Sequence, residues 1–181
     1  MAPEKELKIS GERIYLRKIR VKDVDGPYQH WLQDPEVTRY LESRFSKNTR
    51  AEMEKFVKNA INDSNTLFLA IVLKDGDRHI GNIKLSPINR IHKTAELGIL
   101  IGEKDCWGKG FATEAIKLLA DYAFTELHLH KITSGCYACN AASARAFEKA
   151  GFAVEGVRKS QCLCDGTYVD VLLFGKISPA G

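Results

Sequence analysis

Residues 107–112 read Trp-Gly-Lys-Gly-Phe-Ala. They follow an apolar, strand-like run from Ala95 to Gly102. They precede Ile116, Leu119, Ala120, Ala123, Phe124 and Leu127, which recur at helical spacing on one face. A glycine-rich turn that opens a helix leaves backbone N–H groups without intrahelical partners at the positive end of the helix dipole, a place for phosphate. Glycine there lets the backbone come close to a ligand. Two phosphate loops of other kinds are excluded. Gly110 follows Gly108-Lys109, so no hydroxyl stands where a Walker loop holds magnesium, and Thr113 stands where the Rossmann pattern needs its third glycine. Taken alone, the stretch also fits an ordinary strand–turn–helix connection.

A second informative stretch lies farther along. Lys131 to Ala138 reads as a strand, and Asn140 to Ala150 as a short helix with Asn140 as its N-cap. Gly151 fits the left-handed position after that helix, and Phe152 would re-enter the core.

Together the two segments resemble the GNAT superfamily of acyl-CoA-dependent N-acetyltransferases, in the branch similar to ribosomal-protein N-terminal acetyltransferases. The resemblance runs from Gly11 to Ile177 and is strongest from Glu96 to Phe152. It implies a mixed α/β fold with a largely antiparallel central sheet flanked by helices, and acetyl-CoA as co-substrate. The family's pyrophosphate loop falls on Trp107, Gly108, Lys109, Gly110, Phe111 and Ala112, with Trp107 where the family pattern has Gln or Arg. The backbone of Ile99, Leu100 and Ile101 corresponds to the splayed strand that pairs with pantetheine. Asn140 and Ser143 match positions near the thioester, and Lys149 is carried toward the nucleotide end.

An amine attacks a thioester only as the free base, and the departing thiolate benefits from a proton. A lysine side chain titrates at about 10.4 and an α-amino group at about 7.7–8.0, so the need for a base depends on the acceptor. The resemblance makes Glu96 the base, directly or through water; a solvated or salt-bridged glutamate is the bland alternative. Many relatives place the acidic tyrosine where this chain has Phe147, so Ser143 becomes the acid, with capping the first helical turn as its alternative role. The ribosomal-protein branch also uses a glutamate at the position of Cys162, which weakens peptide acetylation by that route. Tyr137, Tyr168 and Asp170 stand as further contributors, whereas His92, His128 and His130 read as loop residues.

Trp31, Arg39, Tyr40, Glu42, Ser43, Arg44 and Phe45 mix aromatic and charged groups. Arginine binds carboxylate or phosphate bidentately, so Arg39 and Arg44, with Tyr40 and Phe45 against a ring, suit an anionic acceptor. Arg39–Phe45 with Gly81–Leu85 resembles members of the branch that modify amino sugars. The acceptor is therefore expected to be an amino-sugar nucleotide. A protein N-terminus or another small amine is the alternative, and a silent acyl-CoA sensor is the alternative of another class.

The 181 residues, 44% hydrophobic, suffice for one domain over the whole chain, with 1–10 expected to be loosely ordered. A formal charge of +4 without a long block of like charge gives no arm for nucleic acid. No signal peptide or membrane span is read, so a cytoplasmic protein is expected. Oligomeric state stays open, a homodimer included. Cys136, Cys139, Cys162 and Cys164 have the wrong spacing for a zinc ribbon, so no metal is expected and the five cysteines read as reduced. Cys106, beside the loop, could be an accessible thiol.

These residues need positioning elements. The pattern predicts a strand over 13–19, helices over 23–33 and near 39–41, and a helix capped by Asn48 or Thr49. Strands over 67–73 and 79–85 meet across Asp75-Gly76, and a second hairpin joins 154–159 to 167–177 across Asp165-Gly166.

Overall fold

The computed structural model describes residues 7–179. The chain runs β1 (Lys8–Ser10), β2 (Ile14–Lys18), a 3₁₀ turn (Val21–Asp25), α1 (Pro27–Gln33) and α2 (Pro35–Thr38). A second 3₁₀ turn (Glu42–Phe45), α3 (Arg50–Asn62), β3 (Leu67–Leu73), β4 (His79–Asn89) and β5 (Thr94–Ile101) follow. A third 3₁₀ turn (Lys104–Cys106) leads into α4 (Phe111–Thr125), β6 (Lys131–Tyr137), α5 (Ala141–Lys149), β7 (Ala153–Cys164) and β8 (Thr167–Ile177).

The eight strands form one sheet in the order β1-β2-β3-β4-β5-β6-β8-β7. Every pairing is antiparallel except β5 with β6, which are parallel and joined by the α4 crossover. This is the mixed, largely antiparallel layer architecture expected. Alternation along β3 divides the core. Leu69 and Ile71 join Ile116, Leu119 and Ala123 of α4 on one face. Phe68, Ala70 and Val72 join Tyr28, Trp31, Met53 and Val57 on the other.

Three details differ from the sequence reading, and a fourth decides between its alternatives. Lys8–Ser10 is a strand paired with β2, because Leu7 and Ile9 pack against the core; residues 1–6 lie outside the described residues. The helix over 23–33 is broken, since Pro27 supplies no N–H and opens a new helix. Residues 39–41 link α2 to a 3₁₀ turn. Thr49, in a capping box with Glu52, starts α3, while Asn48 turns its amide to the carbonyls of Leu32, Ser43 and Ser46. Among the described residues no helix is long and apolar enough to cross a membrane.

Candidate active site

The parallel joint between β5 and β6 is short. It pairs Thr94 with Lys131, Ala95 with Ile132 and Glu96 with Thr133. Two side-chain bonds close it: Thr133 Oγ1 donates to the Ala95 carbonyl at 3.4 Å and Ser134 Oγ to that of Leu97 at 2.7 Å. Beyond them β6 continues as the partner of β8, and a wedge opens beside β5. Strand alternation turns the backbone of Ile99 and Ile101 into that wedge. Leu100 departs from its expected place: it pairs with Asn82, and its carbonyl points at Gly81 so closely that a Cβ there would lie 2.2 Å away.

The glycine-rich loop stands at the mouth of the wedge. Gly108 and Gly110 have φ of 72° and 83°, and Gly110 is the residue that begins α4. Among the described residues, N–H groups from Gly108 to Thr113 find no acceptor; the first bonded one is Glu114, to the Gly110 carbonyl at 3.1 Å. A Cβ on Gly108 would point into open space. A row of free donors at a helix start, with no side chain in front, fits a diphosphate. Trp107 donates its indole N–H to the Ile101 carbonyl at 2.8 Å and so ties loop to strand. Behind the loop lie Arg13 and Glu114, residues the sequence reading passed over. A carboxylate in a first helical turn is a local signal, but its partner 101 positions earlier has none.

Across the wedge, Asn140 caps α5, its side chain accepting the Ser143 N–H at 3.2 Å. Near it on β6, burial pushes the Cys136 thiol up. Lys149 is exposed at the far end of α5. Phe147 is 1% exposed and stacks on Phe174 with centroids 5.4 Å apart, so it fills core. Glu96 is exposed at the last paired position of the joint and shares no hydrogen bond with Ser143.

The expected acceptor residues do gather. Tyr137, at the end of β6, donates its hydroxyl to the Glu42 carboxylate and receives Arg44 Nη2 at 3.1 Å. Burial first, and Glu42 second, push this phenol up to about 12. Tyr40 meets the Tyr137 ring edge-on at 6.2 Å. Arg44 also donates to the carbonyls of Arg39, Leu41 and Leu163, so four bonds within the protein occupy its guanidinium, which stacks over Phe45. Arg39 pairs with Asp165 at 2.5 Å on the surface. Around them opens a cleft of about 490 Å³, lined in part by Arg39, Arg44, Lys47 and Asp165.

Cys106 is 3% exposed and its thiol is pushed up by burial, which replaces the accessible thiol expected there. The five cysteines are free; Cys139 and Cys164 lie 3.9 Å apart at sulfur, and no group of three ligands suited to a metal ion occurs among the described residues. His92, His128 and His130 line another cleft at the opposite end of β5 and β6. Tyr168 is exposed, and Asp170 is held by Lys159 and the Ser160 N–H.

The acetyltransferase (GNAT) domain family matches residues 13–153. The uncharacterized N-acetyltransferase p20 of Bacillus licheniformis is 32% identical over 165 residues, 90% of this chain and 92% of that protein. The crystal structure of spermidine N-acetyltransferase from Vibrio cholerae, in complex with CoA and spermine, superimposes with a TM-score of 0.82 at 26% identity, covering 93% of this chain and 97% of that one. A ribosomal L7/L12 α-N-protein acetyltransferase in complex with coenzyme A shares the fold, with a TM-score of 0.85 at 18% identity over 97% of this chain and 100% of that one.

Proposed function

The chain belongs to the GNAT acetyltransferases and is an acetyl-CoA-dependent N-acetyltransferase, and from that premise we propose that its acceptor is a primary amine on an anionic body, of the amino-sugar nucleotide class. The observation that carries the proposal is the cleft lined by residues 32–48 and Asp165, where Arg39, Arg44 and Lys47 face a single acidic residue, Asp165. Arg39 and Lys47 bind the anion. The surface pair of Arg39 with Asp165 is cheap to exchange, since exposed ion pairs contribute about 0–1 kcal/mol. Arg44, engaged by the protein itself, holds the wall, and Tyr40 and Phe45 pack against Tyr137 and Arg44 behind it.

On the donor side, backbone groups of Ile99 and Ile101 receive the pantetheine amides, and the N–H groups of the Trp107–Ala112 loop receive the diphosphate. Lys149 faces the nucleotide. The amine nitrogen attacks the thioester carbonyl carbon and the C–S bond breaks. Glu96 takes the proton the nitrogen sheds, directly or through water, and later gives it back to solvent. The Ser143 hydroxyl passes a proton to the departing sulfur while taking up another from solvent water. Exposure at the edge of the wedge, without an ion-pair partner, supports Glu96 as base.

The test is kcat/KM on a UDP- or dTDP-linked amino sugar against spermidine and an Ala-starting peptide. We expect the nucleotide sugar to lead by more than tenfold. A second reading, a polyamine acceptor, is favoured by likeness to the Vibrio cholerae enzyme bound to spermine. Preference for spermidine would replace our reading with that one.

A further inference from the structure

We infer that Arg13 is a positioning residue for the donor: from the start of β2 it clamps the glycine-rich loop and neutralises the carboxylate beneath the diphosphate site. The inference rests on the reading of that loop as the diphosphate site.

Three contacts converge on one guanidinium. Arg13 Nη1 donates to the Lys109 carbonyl at 2.8 Å, and Nε donates to Glu114 Oε2 at 3.0 Å. The guanidinium lies 4.6 Å from the centre of the Phe111 ring, and Nη2 would touch a Cβ on Gly110 at 3.4 Å. Lys109, Gly110, Phe111 and Glu114 span the loop and the first turn of α4, so Arg13 fixes the segment from behind. Taking the Lys109 carbonyl turns it toward β2. The Gly110 N–H of the same peptide unit is thereby turned the opposite way, because a trans peptide points its C=O and N–H in opposite directions.

Glu114 makes the clamp necessary. A carboxylate in the first turn suits the helix dipole but repels a bound anion. Its side chain is only 14% exposed, so water screens it poorly. Burial alone would push its carboxyl up, yet the N–H groups of Arg13 and Ile14, at 2.8 and 3.2 Å, and the Arg13 guanidinium hold it below the usual range. It therefore stays ionised, and among the described residues its cationic partner is Arg13. Gly11 completes the arrangement: a Cβ there would lie 2.7 Å from Glu114 Oε1.

The test uses Arg13→Gln, Arg13→Lys and the double variant Arg13→Gln/Glu114→Gln, with Kd measured for CoA by calorimetry and for pantetheine, which lacks the diphosphate, by competition. We expect Arg13→Gln to weaken CoA roughly ten- to hundredfold, the scale of a lost charge-assisted bond, and pantetheine several times less. Removing the Glu114 charge as well should restore part of the CoA affinity. Arg13→Lys, which keeps the charge but not the fork, should fall between and gives the same comparison if Arg13→Gln does not fold. Equal losses for CoA and pantetheine, or unchanged CoA binding, would overturn the clamp. Gly110→Val separates the two ideas: if it too binds CoA normally, the diphosphate site itself is misassigned, whereas if only it loses CoA, the clamp alone is wrong.

Discussion

The indole nitrogen of Trp107 lies 2.8 Å from the carbonyl oxygen of Ile101. One side chain thus joins the two surfaces we propose for opposite ends of the donor, the open edge of β5 and the start of α4. Trp107→Phe keeps the ring and removes the bond, worth about 0.5–1.5 kcal/mol. We expect acetyl-CoA to bind up to roughly tenfold more weakly by calorimetry, with an unchanged fold; identical affinity would reduce Trp107 to a surface aromatic.

Gly110 has φ of 83°, where a β-branched residue is a strained outlier. Gly110→Val should abolish measurable CoA binding while the circular dichroism spectrum stays native. ATP and NAD should bind the natural protein far more weakly than CoA.

Glu96→Gln should lower turnover by about 10²–10⁴-fold, the usual share of a general base, with little change in acetyl-CoA affinity. The acidic limb of the pH–rate profile should flatten. Ser143→Ala should lower turnover without moving the melting temperature, because the Asn140 cap uses the Ser143 N–H and not its hydroxyl. A drop in melting temperature with normal turnover would return Ser143 to the helix.

Arg44 and Lys47 line one cleft yet should behave differently. Lys47→Ala should raise the acceptor KM alone. Arg44→Ala removes four internal bonds and should lower the melting temperature as well as kcat/KM. If Arg44→Ala leaves stability intact and changes only the acceptor KM, Arg44 binds substrate directly.

Tyr137 carries a pH consequence. Its phenol is raised in the folded state from 10.0 to about 12, so the fold favours the protonated form. That contribution is complete below pH 10 and is lost as pH rises through the window from 10 to about 12. Wild type should lose more stability than Tyr137→Phe across that window in alkaline melts; parallel curves would show that the phenol is unperturbed.

The elements of the proposed donor half were legible because their signals are local. The left-handed Gly110 and Gly151, the Asn140 cap and the periodic face of α4 all lie within a few residues of what they determine. The break at Pro27 was missed where apolar spacing continued across it. The proposed acceptor wall showed in the sequence only as composition. Arg44 looked free because its partners Tyr137 and Leu163 are 93 and 119 positions away, and Leu100 looked equivalent to its neighbours until strand pairing assigned it a side. Nothing local marks Arg13 as the counter-charge of Glu114.

The single parallel joint has a consequence for how such a chain can diverge. Parallel neighbours cannot be linked by a hairpin, so β5, α4 and β6 must come as one unbroken run, and α5 follows directly. The wedge, the loop and the Asn140 cap are therefore encoded in a single contiguous cassette, from Thr94 to Lys149. The cleft walls come from elsewhere: α1 to Asn48 on one side and the β7–β8 turn on the other. Recombination at residues 90 and 152 would test whether the proposed acceptor cleft can be exchanged while the wedge and loop move together, with Arg13 the one proposed donor-side residue left to the recipient. Chimeras cut at those two seams are the natural route to new acceptors on this scaffold.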